Sequence, residues 1–270
     1  MSGIVTALSK ARNIPHWIDS LGWRGTCTQA AYEARRTLGM RLPATLRIKP
    51  RNAQYPVVAR LGRSSDMEVF GQIFECDEYG CLRSIPQPRW ILDLGANAGY
   101  SSAYFLSCFR AAHVIAVEPD PDNCEICRGN LAPYGERARV VAGAAWSTRA
   151  RLALQRGTYR DGRDWATQVA AAAGGEGQVE GYDIPSLLEM TGGEPIDLLK
   201  IDIERSELEI FGEDCSGWLP AVRNICIELH GEDCERVFLR ALQEFDYERG
   251  ASGELTICRN LRRRTPRDPA

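Results

Sequence analysis

Charged side chains occupy alternate positions in two apolar segments of the sequence. They are Lys200, Asp202 and Glu204 in the first segment, and Glu228 and His230 in the second. Alternate side chains of an extended strand share one face, so each set is predicted to project together. A charged group on a buried strand is costly unless it is paired or bound to a ligand. Two such strands indicate a functional site. The alternative is a structural network of ion pairs between the strands.

A glycine-punctuated turn follows an apolar run at residues 90–100, Trp-Ile-Leu-Asp-Leu-Gly-Ala-Asn-Ala-Gly-Tyr. Parallel-sheet proteins build nucleotide-type cofactor sites in this order, with backbone amides free to approach the ligand. The spacing from Asp93 through Gly95 to Gly99 is D-x-G-x-x-x-G, whereas a dinucleotide pyrophosphate is bound by G-x-G-x-x-G. The turn therefore predicts a ligand held by amino-acid and nucleoside parts.

The next apolar run ends at Glu118 and Pro119. Ligands of an open parallel sheet lie beyond the carboxyl ends of its strands. A carboxylate there can accept hydrogen bonds from both hydroxyls of a ribose, and it would repel a phosphate. Glu118 is thus predicted to bind an unphosphorylated ribose.

Strand-like and helix-like segments alternate from residue 90 onward. The predicted strands are Ile91–Leu94, His113–Val117, Ala138–Ala145, Ile196–Ile203, Asn224–His230 and Glu254–Arg259. The predicted helices are Tyr100–Phe109, Pro121–Leu131, Ile184–Met190, Glu207–Phe211 and Asp233–Phe245. This alternation implies right-handed crossovers and a parallel sheet, with the last strand paired antiparallel.

Three parts are predicted along the chain. Residues 1–60 form a helical cap with one weakly alternating strand at 54–61, and residues 61–258 form the main domain. The main domain opens with a helix after Ser65, a plausible N-cap. Within it, residues 156–181 are rich in Gly, Ala and Arg, which predicts a long loop at the substrate site or a disordered segment. Residues 259–270 are predicted to be a basic, disordered tail.

Net charge and apolar patterning limit the binding partners and the cellular compartment that the sequence predicts. The net charge of the 270 residues is −3, so no global basic field recruits nucleic acid. No apolar run approaches the ~20 residues of a membrane span, and no signal-peptide core is present. These features predict a cytoplasmic protein, and they give no indication of its oligomeric state.

Ten cysteines are scattered through the sequence. A chain of this size builds a core without disulfides, and several of the cysteines lie in apolar patterns as small hydrophobic residues. Cys124 and Cys127 form a single C-x-x-C without a second pair, so we expect a structural role and neither a metal nor a redox site.

The ordered set of motifs resembles the FkbM family of class I S-adenosylmethionine-dependent methyltransferases. The matching pieces are Ser-Asp-Met-Glu-Val-Phe-Gly-Gln-Ile-Phe at 65–74 with Glu78-Tyr79, the turn at 91–100, Val-Glu-Pro-Asp-Pro at 117–121 with Asn123, Leu-Leu-Lys-Ile-Asp-Ile-Glu at 198–204, and Ile-Glu-Leu-His at 227–230. The resemblance covers roughly residues 60–250. It implies an α/β, Rossmann-like fold with a mostly parallel seven-stranded sheet, helices on both faces and an N-terminal helical extension.

The resemblance also implies S-adenosylmethionine as the cofactor. The glycine turn would hold the methionine part, Glu118 the ribose, Asn123 the ribose or adenine, and Ala144 and Ala145 the adenine. The predicted cofactor-binding residues are Asp93, Gly95, Ala96, Asn97, Ala98, Gly99, Tyr100, Glu118, Pro119, Asn123, Ala144, Ala145 and Asp202. Arg205 departs from the family, which usually has glycine there; its charge would reshape the acceptor side for an anionic substrate or point to solvent.

The predicted reaction is methylation of a hydroxyl on a sugar, glycan or secondary metabolite. A hydroxyl acceptor needs its proton removed, and His230 is the first choice of base because its ordinary pKa lies near neutral. Asp202 and Glu204 come second, and Lys200 completes the predicted catalytic set. A divalent metal on Asp202 and Glu204 is an alternative, but the sequence fixes no ligand set and no metal is predicted.

Other functions compete with this prediction. A nicotinamide-dependent oxidoreductase would also place an acid after the second strand, but the G-x-G-x-x-G spacing is missing. A non-catalytic binding module is the second alternative, which the intact charged motifs disfavour. Nucleic-acid methylation is disfavoured because no Asn-Pro-Pro-Tyr-like motif and no basic face beyond the tail is found.

Overall fold

An N-terminal helix and a hairpin precede the main sheet in the computed structural model, which describes residues 13–62, 64–155, 168–171 and 178–264. Helix α1 (Ile14–Thr37) bends at Gly22, where φ is 66° and ψ is 175°. Strands β1 (Thr45–Ile48) and β2 (Val57–Arg60) pair antiparallel. The segment predicted as a helical cap is therefore helical only in part: β2 lies within the strand predicted at 54–61, whereas β1 was not predicted.

A helix and a turn of 3-10 helix follow the hairpin. Helix α2 (Asp66–Phe70) continues as a π-helical turn over Gly71–Glu75, and the 3-10 helix spans Glu78–Ser84. The helix predicted after Ser65 is thus present, and Phe70 and Phe74 are fully buried. Ser65 precedes the helix, but its side chain makes no capping hydrogen bond.

The remaining elements begin with the predicted alternation of strands and helices, and unpredicted strands follow after residue 142 and after residue 244. The strands are β3 (Trp90–Leu94), β4 (His113–Glu118), β5 (Ala138–Ala142), β6 (Ala144–Ala145), β7 (Ala150–Gln155), β8 (Gln168–Ala171), β9 (Gln178–Tyr182), β10 (Leu198–Ile201), β11 (Ile225–Glu228), β12 (Phe245–Ser252) and β13 (Leu255–Arg263). The helices are α3 (Tyr100–Cys108), α4 (Pro121–Leu131), α5 (Ile184–Glu189), α6 (Glu207–Gly212) and α7 (Glu232–Ala241). Short 3-10 turns span Ala132–Arg137 and Leu219–Ala221.

Seven strands form the main sheet in the order β12-β13-β11-β10-β3-β4-β5. The pairs among β11, β10, β3, β4 and β5 are all parallel. Strand β13 pairs antiparallel with both of its neighbours, so it alone runs against the other six strands. The predicted Rossmann-like, mostly parallel sheet is confirmed.

Helices cover both faces of this sheet. Ile91 faces a core with residues of α3 and α4, and Leu92 faces the opposite core with residues of α5, α6 and α7. Strands buried on both faces read as continuous apolar runs, which is why the charged exceptions on β10 and β11 stand out in the sequence.

A second sheet replaces the single strand predicted at 138–145. Strand β5 ends at Ala142, and after Gly143 the chain enters a separate four-stranded sheet with the order β6-β9-β7-β8. A Cβ on Gly143 would lie 2.5 Å from the carbonyl oxygen of Glu180, so the two backbones approach too closely for a side chain. The segment 156–181, predicted as a loop, therefore contains β-strand at 168–171 and 178–181. The rest of that segment lies outside the described residues.

The carboxyl-terminal elements differ most from the prediction. Helix α7 ends at Ala241, and β12 follows where no strand was predicted. Strand β13 continues to Arg263, so residues 259–263 belong to the sheet and the prediction of a tail starting at 259 is wrong there. Arg263 pairs with Glu244 at 2.9 Å. Residues 265–270 lie outside the described residues.

All ten cysteines are free thiols, as their apolar contexts predict. Cys124 donates its S–H to the carbonyl oxygen of Glu118, and burial raises the pKa of the Cys124 thiol to about 12. Such a thiol is unreactive, which agrees with a structural role. In the described part of the chain, no helix has the length and apolar character that crossing a bilayer requires.

Candidate active site

An open cavity of about 1120 Å³, including its mouth, lies at the carboxyl ends of β3, β4, β10 and β11. The predicted site residues that line it are Gly95, Ala96, Asn97, Tyr100, Glu118, Pro119, Asn123, Ala144, Ala145, Lys200, Asp202 and Glu204. Four predicted residues are not part of its lining: Asp93, Ala98, Gly99 and His230. The cavity thus lies at the predicted edge of the sheet, and these four residues lie outside its lining.

The glycine turn needs its two glycines for different reasons. Gly95 has a φ of 77°, and a Cβ there would lie 1.8 Å from the carbonyl oxygen of Asp202. Gly99 has a φ of 81°, and a Cβ there would lie 2.9 Å from the sulfur of Cys127 in α4. Gly95 therefore lets two strand ends meet, while Gly99 lets α3 pack on α4.

The backbone amides of the turn are already engaged, contrary to the prediction that they are free for a ligand. The amides of Gly95 and Ala96 both donate to the carbonyl oxygen of Val117 at 3.0 Å. The amide of Asn97 donates to Oε2 of Glu118 at 2.8 Å. These bonds tie the turn after β3 to the end of β4. The turn therefore shapes the cavity wall, and these three N–H groups are not available as hydrogen-bond donors to a ligand.

Asp93 and Lys200 form a buried ion pair beneath the turn. Lys200 Nζ lies 3.1 Å from Asp93 Oδ1 and donates to the carbonyl oxygen of Gly95 at 2.8 Å. Asp93 also accepts hydrogen bonds from the hydroxyls of Ser101 and Ser102 at 2.6 Å. The two residues thus fix the turn and the start of α3. The geometry supports neither cofactor contact by Asp93 nor a catalytic role for Lys200.

Glu118 presents a buried carboxylate to the cavity. Its side chain accepts hydrogen bonds from the amides of Asn97 and Asp120 and from Nδ2 of Asn123. Burial raises the pKa of Glu118 to about 7, although these three donors act in the opposite direction. Two further hydroxyl donors would stabilise the ionised form, so the site fits the ribose of a nucleoside.

The hairpin contacts the same carboxylate through Asn123. Arg60 Nη2 donates to Asn123 Oδ1 at 2.7 Å and to Asp66 Oδ1 at 2.7 Å. Asn123 is thereby oriented with its amide nitrogen toward Glu118. Sequence reasoning missed both residues. Asp66 lies in the 65–74 segment that carries the family resemblance, so a signal for it was present, whereas the contact of Arg60 with Asn123 joins parts of the chain far apart in sequence.

The end of β10 is not extended as predicted. The strand ends at Ile201, and both Glu204 and Arg205 have left-handed φ values, 46° and 76°. Lys200 and Asp202 do share a face, with Nζ and Oδ2 3.9 Å apart. Arg205 donates to the carbonyl oxygen of His230 at 3.3 Å, so its charge is turned away from the acceptor side; a glycine would adopt its φ without strain.

His230 is held from behind by a buried glutamate. Its Nδ1 lies 2.7 Å from Oε1 of Glu207, a fully buried side chain on α6. Burial lowers the pKa of His230, but the hydrogen bond and charge of Glu207, with Asp202 and Glu204, raise it to about 9. The imidazole is therefore mostly protonated at neutral pH, which argues against its predicted role as the base.

Three carboxylates face Nε2 of His230. The nearest oxygens of Glu228, Asp202 and Glu204 lie at 3.5, 3.8 and 3.8 Å. Burial and the charge of Asp202 raise the pKa of Glu228 to about 7. Glu228 and His230 do lie together, as their alternation predicts.

Several lining residues were not assigned from the sequence. They are Val69, Gln72, Ile73, Glu78, Tyr79, Ser101, Val117, Ile203, Ser206, Glu228 and Glu254. Gln72, Glu78 and Tyr79 lie in the segments that carry the family resemblance, so a signal for them was present. Glu254 lies at the β12–β13 hairpin, which was not predicted.

The sheet order, the glycine turn after β3 and the buried acid after β4 define a Rossmann-like methyltransferase whose cofactor is S-adenosylmethionine. The model of the FkbM methyltransferase domain matches residues 93–249, more than half of the 270 residues. The chain belongs to this family. A nicotinamide-dependent oxidoreductase is thereby set aside.

Several solved structures match part of the chain at low sequence identity and with TM-scores below 0.5. TrmK from M. capricolum, in complex with S-adenosylhomocysteine, is 12% identical with a TM-score of 0.39, over 69% of this chain and 67% of that chain. A putative caffeoyl-CoA O-methyltransferase from Staphylococcus aureus is 12% identical with a TM-score of 0.42, over 73% and 93%. A putative methyltransferase from Escherichia coli is 15% identical with a TM-score of 0.42, over 81% and 99%. No curated protein sequence matches the chain.

Proposed function

We propose that the protein methylates a hydroxyl group of an uncharged, polyhydroxylated acceptor such as a sugar, a glycan or a hydroxylated secondary metabolite. The observation that carries this proposal is the charge of the cavity. Its lining contains the carboxylates of Glu78, Glu118, Asp202, Glu204, Glu228 and Glu254. Among the residues that the structure describes, Lys200 is the cationic side chain in that lining, and it is buried and paired with Asp93.

This charge distribution selects among acceptor classes. Phosphorylated or carboxylated acceptors would be repelled by these carboxylates, and the described part of the lining offers no unpaired cation to receive them. Hydroxyl groups can donate to the same carboxylates, which orients a polyhydroxylated ring. An amine would bind there as an ammonium ion, and an ammonium nitrogen has no lone pair to attack a methyl group.

The cofactor is assigned to the β3–β4 side of the cavity. Gly95 to Asn97 and Tyr100 would hold its methionine part and Glu118 its ribose, with Ala144 and Ala145 beside the adenine. When bound, S-adenosylmethionine supplies a methyl group whose C–S bonding pair returns to sulfur as the acceptor oxygen forms the new bond. The chain contributes alignment of the acceptor, which reduces the entropic part of the barrier.

A hydroxyl acceptor must also lose its proton. In the cavity, the carboxylates of Asp202, Glu204 and Glu228 are the groups that can receive it. Asp202 or Glu204, the second choice of base from the sequence, is thereby retained. His230 becomes a positioning residue for these carboxylates.

Isotope transfer tests the proposal. The purified full-length chain is incubated with methyl-labelled S-adenosylmethionine and extracts or a panel of neutral glycosides, their phosphorylated analogues and primary amines. We expect labelled methyl ethers from neutral acceptors, identified by mass spectrometry. We expect no product with Asp202→Ala, while Glu244→Gln, which alters an exposed carboxylate outside the cavity, retains full labelling.

Other products would identify a different function. Labelled N-methyl products, or preference for the phosphorylated analogues, would overturn the hydroxyl assignment. No labelled product from any acceptor, together with S-adenosylmethionine binding measured by calorimetry, would support the non-catalytic binding module instead.

A further inference from the structure

A histidine and carboxylates converge at the acceptor side of the cavity. One ligand atom from each of Asp202, Glu228 and His230 can be chosen such that all three lie within 4.8 Å of one another. Two carboxylate oxygens and one imidazole nitrogen form a donor set that suits divalent cations of the magnesium and manganese type.

The orientation of His230 is the second observation. The residue is 6% exposed, and its Nδ1 is engaged by the fully buried Glu207. Its Nε2 points into the group of carboxylates, yet among the described residues it has no partner in hydrogen-bonding geometry; Glu228 is nearest at 3.5 Å. Metal-bound histidines are typically held in this way, with a carboxylate on the nitrogen that faces away from the ion.

We propose that Asp202, Glu228 and His230 bind a divalent cation, with Mn²⁺ or Mg²⁺ as the ion, and that Glu207 positions the histidine for it.

The distances allow such an ion after small side-chain movements. An ion about 2.1 Å from each ligand atom requires separations of about 3 Å between neighbouring ligands and about 4.2 Å between opposite ones. Nε2 of His230 lies 3.5 Å from Glu228 and 3.8 Å from Asp202, between these two values. Asp202 and Glu228 line the cavity, so the remaining coordination positions face the acceptor.

This site would deepen the proposed function, on which its role with the acceptor rests. A cation at this position would bind an acceptor oxygen directly and favour its alkoxide form by Lewis-acid polarisation. It would also offset the mutual repulsion of the carboxylates. Binding of the ion itself requires neither acceptor nor turnover and can be measured separately.

Electron paramagnetic resonance with Mn²⁺ tests the site in the full chain without acceptor. We expect saturable binding of one Mn²⁺ per chain. Glu228→Gln should weaken binding at least tenfold, and Glu207→Gln, which changes only the histidine's support, by about 10- to 100-fold. Glu244→Gln is the control, because Glu244 is an exposed carboxylate outside the cavity, and it should bind Mn²⁺ as the wild type does.

Cofactor binding checks that each variant is folded. If Glu228→Gln binds S-adenosylmethionine normally and has lost Mn²⁺, the site is supported. If the wild type binds S-adenosylmethionine but no Mn²⁺ at millimolar concentration, or if Glu228→Gln binds Mn²⁺ unchanged, the proposal is wrong and a protonated His230 balances the carboxylates instead. Methyl-ether formation that persists in a metal chelator would remove the metal from the reaction and leave the proposed function standing.

Discussion

Removing the charge of Lys200 should destabilise the protein more than it impairs catalysis directly. Lys200 is 2% exposed and Asp93 is fully buried, so Lys200→Met leaves a carboxylate inside the protein without its cation. Breaking one partner of a buried pair costs about 3–5 kcal/mol. In the variant, Asp93 still accepts hydrogen bonds from the hydroxyls of Ser101 and Ser102. The expected loss of unfolding free energy is therefore about 3 kcal/mol, the lower end of that range.

Equilibrium unfolding in urea measures this loss. For a chain of this size a loss of about 3 kcal/mol corresponds to a fall in Tm of about 6–12 °C. The double variant Asp93→Asn/Lys200→Met removes both charges and should recover part of the loss. Arg263→Gln is the control, because its pair with Glu244 is more than half exposed and contributes about 0–1 kcal/mol.

The opposite outcome would refute the structural role of this pair. If Lys200→Met unfolds at the wild-type urea concentration and binds S-adenosylmethionine normally, yet transfers no methyl group, Lys200 acts in catalysis. The double variant would then be as inactive as Lys200→Met and no less stable than the wild type.

Three further perturbations test the cofactor side of the cavity. Burial holds the pKa of Glu118 near 7, and ribose hydroxyls favour its ionised form. S-adenosylmethionine should therefore bind up to about tenfold more weakly per pH unit below 7. Calorimetry should show that Glu118→Gln binds the cofactor weakly and without this pH dependence. Gly95→Ala should abolish cofactor binding or folding because its Cβ has no room, whereas Gly129→Ala, at an uncrowded position in α4, should raise stability by about 0.5–1 kcal/mol in thermal unfolding. Arg60→Gln should release the amide of Asn123 and weaken cofactor binding by about 1 kcal/mol, roughly fivefold; unchanged affinity in a folded variant would disconnect the hairpin from the site.

The main sheet was predictable because its strands are buried on both faces. Such strands read as continuous apolar runs separated by helical periodicity, and this pattern places β3, β4, β10 and β11 within a few residues. Strand β12 was missed because it lies at the sheet edge: Asp246, Glu248 and Arg249 give it a polar character that resembles the end of the preceding helix. The tail at 259–263 was misread for the same reason, since its polar residues continue an edge strand and Arg263 pairs with Glu244, just before β12.

The site was predictable to the level of the strand ends and no further. Sequence position tells which residues follow a strand, but it does not tell which of them face the cavity. Asp93 and Lys200 carry the charges of a catalytic pair, yet they pair with each other beneath the glycine turn, and Asp93 is not part of the cavity lining. Glu118, by contrast, reaches the cavity because the amides of Asn97 and Asp120 hold its carboxylate in place.

The role of His230 depends on Glu207, a residue that nothing in the local sequence connects to it. A histidine with an ordinary pKa would be a suitable base at the end of β11. Helix α6 instead brings a buried carboxylate to Nδ1, and three more carboxylates face Nε2, so the imidazole becomes a stable cation or a ligand for one. In either state it holds these carboxylates together at the acceptor side and balances part of their charge. The same α6 contact therefore both removes the predicted base and creates the acidic surface on which a hydroxyl acceptor can be oriented.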